Sequence, residues 1–126
     1  MLADTLSEIL DELNGTSADI EASAIISTDG LMMAARLPAS MDEDRLGAMS
    51  AALLSLGDRT AQELGRGDLE QVMIKGHDGY VVMTHAGHDA VLTVIAKAQT
   101  KLGLVFLDIR RAAERIEGEV KNSAKK

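Results

Sequence analysis

Residues 46–57 read Leu46-Gly47-Ala48-Met49-Ser50-Ala51-Ala52-Leu53-Leu54-Ser55-Leu56-Gly57, twelve positions without a charge. Apolar side chains recur there at intervals of three and four, the period of an α-helix. Asp42-Glu43-Asp44 opens the helix with negative charge where the dipole favours it, and Gly65-Arg66-Gly67 ends it after about residue 64. Leu46, Met49, Leu53, Leu56, Thr60 and Leu64 form one stripe, expected to lie on a sheet. An ordinary surface helix would be charged opposite that stripe. Here Ala48, Ala51, Ala52 and Ser55 occupy the outward face, and Gly47, Ser50, Leu54 and Ala61 line one flank. A helix apolar all round is covered on more than one side, and twelve residues are too few to cross a bilayer. Alanine is also an ordinary surface helix former. Leu54, off the main stripe, tips the balance towards cover, since its full burial is worth roughly 1.5–3 kcal/mol. One helix pair does not repay an association cost of roughly 4–15 kcal/mol. A self-contact therefore needs a second element, and the edge of an antiparallel sheet supplies one.

Outward from this helix, each side carries strands. Residues 20–27, centred on Ile25-Ile26, read as a strand, and Thr28-Asp29-Gly30 as a hairpin turn whose glycine accepts positive φ. Residues 31–36 return, and Pro38 closes that strand. After the helix, residues 69–75, 80–84 and 91–96 read as three more strands. His77-Asp78-Gly79 and Ala86-Gly87-His88-Asp89 are the turns between them. These connections are too short for crossover helices, so both groups are antiparallel. Leu2, Leu6, Ile9, Leu10 and Leu13 place a first helix before the strands, with Asn14-Gly15 as its expected stop. Thr100 is the expected cap of a last helix, whose buried stripe is Leu102, Val105, Ile109, Ala112, Ala113, Ile116 and Val120. The order α-β-β-α-β-β-β-α predicts an α+β domain with a five-stranded antiparallel sheet. Residues 1–120 are expected as one domain and 121–126 as a flexible basic tail.

Composition removes several classes of function. The 126-residue chain has 20 Asp and Glu against 13 Lys and Arg, a formal charge of −7. Nucleic acid is a poor partner for it, because a phosphate backbone is gripped by clustered cations, and aromatic residues for base stacking make up 2%. There is no cysteine, which suits a reducing cytoplasm and excludes thiolate chemistry. The first residues lack a basic n-region and a long apolar run, so no signal peptide is read there. No membrane insertion is expected.

Catalytic patterns are weak. Gly76-His77-Asp78-Gly79 lacks the lysine and following helix of a phosphate loop. His85, His88 and Asp89 are the best metal candidates, yet they fall in a strand-to-strand turn where polar residues are ordinary. Asp42, Glu43 and Asp44 serve a helix end better than acid–base work. Met32, Met33 and Met41 read as core or filler before docking surface. Arg59, on the outer face of the central helix, has the chemistry of an arginine finger but reads as a solvated helix charge. No cofactor or metal is implied, and no enzyme is read.

The chain resembles the roadblock/dynein light chain family, in particular its bacterial and archaeal branch of Mgl-type regulators. The likeness rests on Ala24-Ile25-Ile26-Ser27-Thr28-Asp29-Gly30-Leu31, on Ala51-Ala52-Leu53-Leu54-Ser55-Leu56-Gly57-Asp58-Arg59, and on Glu63-Leu64-Gly65. Gln71-Val72-Met73-Ile74, Gly79-Tyr80-Val81-Val82-Met83, Lys101-Leu102-Gly103-Leu104-Val105 and Arg110-Arg111-Ala112-Ala113 continue it in family order. The resemblance implies a profilin-like fold and a homodimer in which central helices pair and sheets join edge to edge. It also implies a small Ras-like GTPase as partner, scaffolded or stimulated in hydrolysis through its own switch loops. The expected self-contact is Gly47, Ser50, Leu54, Gly57, Asp58 and Ala61. Candidate partner contacts are Ala48, Ser55, Arg59 and Gln62. The competing reading is a nucleotide-independent adaptor in a larger motor or signalling assembly; a small-molecule sensor or enzyme is the third.

Overall fold

Strand residues of alternating direction divide the apolar side chains between two sheet faces. The computed structural model describes residues 1–124. Its elements are α1 (Leu2–Thr16), β1 (Ile20–Ser27), β2 (Met32–Arg36), α2 (Glu43–Glu63), β3 (Val72–Gly76), β4 (Gly79–His85), β5 (Ala90–Lys97) and α3 (Leu102–Ala124). The expected order is the observed one.

The strands form a single antiparallel sheet in the order β2-β1-β5-β4-β3. Pairing of β1 with β5, Ile25 opposite Leu92, fuses the two expected groups into one sheet. β2 and β3 are left as its edges, and α2 carries the chain from one edge to the other.

One face is deeply covered. Leu6, Ile9, Leu10 and Leu13 of α1 and Val105, Ile109 and Ile116 of α3 pack on Ile25, Val82, Leu92 and Val94. The other face holds only a small buried cluster of Leu54, Met83 and Val91, with Leu53, Leu69, Val72 and Val81 partly buried around it. The architecture is three layers: α1 and α3, the sheet, then α2. An ion pair ties α1 to the β2 edge, Arg36 Nε donating to Asp11 Oδ1 at 2.6 Å and Nη2 to Oδ2 at 3.2 Å. These hydrogen bonds, with the guanidinium charge behind them, hold the Asp11 carboxyl below the usual carboxylate range.

Local differences from expectation have local causes. Gly15 is helical, without positive φ; α1 ends instead where the Thr16 hydroxyl donates to the Leu13 carbonyl at 2.7 Å and Ser17 turns extended. The Thr100 hydroxyl donates to the Lys97 carbonyl at 2.6 Å, so it does not cap α3 as expected. That helix starts from the Lys101 carbonyl, which accepts from Leu104 and Val105. It also runs on through Ala124, past residue 120, with Lys121 paired to Glu117 one turn back. Residues 121–124 are therefore helix, not tail, while Lys125 and Lys126 lie outside the described residues. Gly30 takes φ +91° in the first hairpin, as the turn requires.

Candidate protein-docking surface

How α2 sits on the sheet decides which of its faces is free. The Asp42 carboxylate accepts the Arg45 N–H at 3.2 Å and starts the helix. From there the contact stripe is built of small residues. A Cβ on Gly47 would lie 2.5 Å from the Gly30 carbonyl oxygen, so backbone meets backbone there. One turn on, Ser50 and Thr93 are both buried, and the Thr93 hydroxyl donates to Ser50 at 3.0 Å. Leu54 fills the space over Met83 and Val91. A Cβ on Gly57 would be 2.9 Å from Val72 Cγ2 and 3.1 Å from Leu69 Cδ2. Asp58 meets the His85 ring, with Nε2 at 3.0 and 3.1 Å from its two carboxylate oxygens. Ala61, half-buried, continues the line.

Of the six residues expected as the self-contact, Gly47, Ser50 and Leu54 are corrected, because they are buried where the helix meets its own sheet and first hairpin; Gly57, Asp58 and Ala61 are half-buried. Small residues permit close approach to whatever backbone comes near, and periodicity does not say whether that backbone belongs to a helix or a strand. The stripe expected against the sheet is correspondingly rolled outward. Met49 is 52% exposed, Leu56 60% and Leu64 67%. Leu53 is half-buried on the Leu54 cluster, as are Leu69 and Val72, and the approach of Gly57 to Val72 and Leu69 places this apolar shoulder on the β3 side of the helix. The edge strand β3 adds Ile74, exposed on the α2 face, while Met73, opposite Val82, is exposed on the α1–α3 face. The helix shoulder and Ile74 thus lie on the same face of the sheet.

The other shoulder faces the first hairpin, where a Cβ on Gly30 would lie 3.6 Å from Ala48 Cα and 3.8 Å from Ala51 Cβ. The candidate partner contacts Ala48, Ser55, Arg59 and Gln62 are all exposed. Arg59 lies 3.8 Å from Glu63 on the same helix, and the Gln62 amide donates to Asp68 at 2.9 Å. Leu31 in the hairpin, next to Gly30, is 70% exposed near the Ala48 end of this shoulder; it lies outside β2, although a strand residue is expected there.

The remaining candidates are placed as follows. His85 is engaged by Asp58, while His88 and Asp89 are exposed. Among the described residues, no three His, Asp or Glu side chains converge as a metal site. Glu43 and Asp44 are solvated in the first turn. Met33 packs against the main core, and Met32 and Met41 are half-buried. The Asp58–His85 link was missed from sequence, although its signal was present. Residue 58 lies one turn after Leu54, and residue 85 shares a strand face with Met83.

A five-stranded antiparallel sheet with helices on both faces is the architecture of the profilin-like fold. Profilin IB of Acanthamoeba castellanii superposes with a TM-score of 0.68 over 90% of this chain and 98% of its own, at 16% identity. MglB of Myxococcus xanthus superposes with a TM-score of 0.87 over 95% of this chain and 90% of its own, at 20% identity. The chain belongs to the roadblock/LC7 family, whose domain model matches residues 6–96. The uncharacterized protein MJ1340 of Methanocaldococcus jannaschii is 41% identical over 112 residues, covering 89% of this chain and 96% of the relative.

Proposed function

We propose that this protein is a homodimeric regulatory adaptor that docks a small Ras-like GTPase. The observation that carries the dimer is a pair of exposed apolar features, the α2 shoulder of Met49, Leu53 and Leu56 and the β3 edge with Ile74 on the same face of the sheet. An exposed edge strand is a template for another strand. A two-fold axis beside β3 would join two such edges and set the two shoulders side by side. Each leucine or methionine covered fully adds roughly 1.5–3 kcal/mol. Met49 and Leu56 from both chains, with the strand pair, reach the scale of the association cost of roughly 4–15 kcal/mol.

Pairing on the β3 side leaves the hairpin-side shoulder open. Ala48, Ser55, Arg59 and Gln62, with Leu31 at the Ala48 end, are the partner-facing residues in this reading. The GTPase rests on what family membership implies. In this role the adaptor biases the switch loops of the GTPase and donates no group to the reaction.

Titration of a Ras-like GTPase from the same genome, loaded with GDP or a GTP analogue, tests the partner. Binding in one nucleotide state, weakened by Leu31→Asp or Ser55→Arg, is expected. No binding in either state would overturn the GTPase assignment. Equal binding in both would favour the nucleotide-independent adaptor.

A further inference from the structure

The charge of this chain is unevenly spread. Residues 97–126 hold eight of the 13 Lys and Arg but only four of the 20 Asp and Glu. That segment is formally +4 and the remainder −11. Part of the positive charge sits where the structure leaves α3 uncovered. The helix buries Val105, Ile109, Ala112, Ala113 and Ile116, so positions 104, 107 and 111 point the opposite way. Leu104 is 63% exposed there, Leu107 is also exposed, and Arg111 stands one turn beyond them. Lys101 and Arg110 flank this ridge, and Lys97 ends the strand before it.

Lys97, Lys101, Arg110 and Arg111 make no ion pair among the described residues. Some of the acids nearby are engaged. Glu12 pairs with Arg115 and Glu117 with Lys121. Asp108 is half-buried, with the Thr16 hydroxyl at 3.5 Å. Glu114 on this side of α3 and Glu70, which lines one cavity with Arg110, are exposed without a partner among the described residues, and the Asp19 carbonyl accepts the Lys97 N–H at 2.8 Å. The acidic first turn of α2 lies across the sheet.

We propose that the outward ridge of α3 docks peripherally on an anionic lipid surface. Cations spread over about 15 Å of helix on a convex ridge suit a flat, laterally mobile sheet of charge. Two leucines projecting between them are placed for shallow entry among headgroups. No described helix is long and apolar enough to cross a membrane, so the contact is superficial. The proposal stands apart from the dimer and the GTPase, since it uses the opposite layer of the molecule.

Co-sedimentation with phosphatidylcholine vesicles, with and without about 30% phosphatidylserine, tests it. Wild-type protein should partition onto the anionic vesicles at roughly 50 mM salt and leave them near roughly 300 mM. Arg110→Glu with Arg111→Glu should lower partitioning at least about tenfold. Leu104→Ser with Leu107→Ser should lower it about threefold or more without changing its salt dependence. The same charge change at Arg45 and Arg66, on the other layer, should leave partitioning within about twofold, with circular dichroism confirming that every variant is folded. Wild-type protein that ignores anionic vesicles would overturn the proposal, as would equal losses from both charge reversals. If vesicles are ignored but Arg110→Glu with Arg111→Glu disrupts contact between chains, an acidic protein face is the occupant and the lipid assignment falls.

Discussion

At Gly47 the helix and the first hairpin touch through their backbones, and the space for a methyl group is already taken by the Gly30 carbonyl. On an exposed helix, glycine to alanine gains about 1 kcal/mol. Here Gly47→Ala should instead cost about 1–3 kcal/mol, because the carbonyl is backbone and cannot swing aside; urea denaturation would measure it. Leu54→Ala should cost about 2–5 kcal/mol by opening a cavity over Met83 and Val91. Asp11 carries a pH signature. Its folded carboxyl is held low by Arg36, so the pair contributes fully above about pH 4, near the unfolded value. That contribution is lost as pH falls through the lower folded value. Asp11→Asn should therefore flatten the acid limb of a Tm–pH profile and leave its slope near neutrality unchanged.

Among the elements, α2 is where sequence and structure part. Its limits, its acidic start and its lack of charge were all legible, since each follows from local composition. Its roll was not. The leucine stripe outweighs the glycine–serine stripe in any hydrophobic count, yet Gly47, Ser50 and Gly57 let the helix drop close enough for Ser50 to meet Thr93 and Asp58 to meet His85. Those contacts need partners 43 and 27 positions away, and spacing within one helix carries no trace of them. By contrast, α1 and α3 bury most of the stripes their periodicity gave, with Leu2 and Val120 partly buried, because both helices pack into one continuous apolar core. The roll reverses the expected effect of substitution. Leu54→Asp should unfold the protein, placing a charge in the core. Met49→Asp with Leu56→Asp should leave circular dichroism and Tm nearly unchanged while weakening self-association at least about a hundredfold. Ile74→Lys on the β3 edge should weaken it by about 1–3 kcal/mol, read by equilibrium sedimentation.

For the whole molecule, the layering assigns different work to different faces. The thick α1–α3 side supplies most of the core, so the thin α2 side can expose apolar surface without loss of the fold. In the proposed reading its β3 flank meets a second copy and its hairpin flank a partner, while the α3 ridge lies across the sheet. The order of elements and the sheet were readable because each local signal agreed with the others. Which surface meets which partner depended on the roll of one helix. Sedimentation equilibrium of the wild type beside Met49→Asp/Leu56→Asp tests the central claim most directly. The account predicts twice the 13.4 kDa chain mass for the wild type at micromolar concentration and a folded single chain for the variant. A wild type that stays single at high micromolar concentration, or a variant that dimerises equally well, would contradict it.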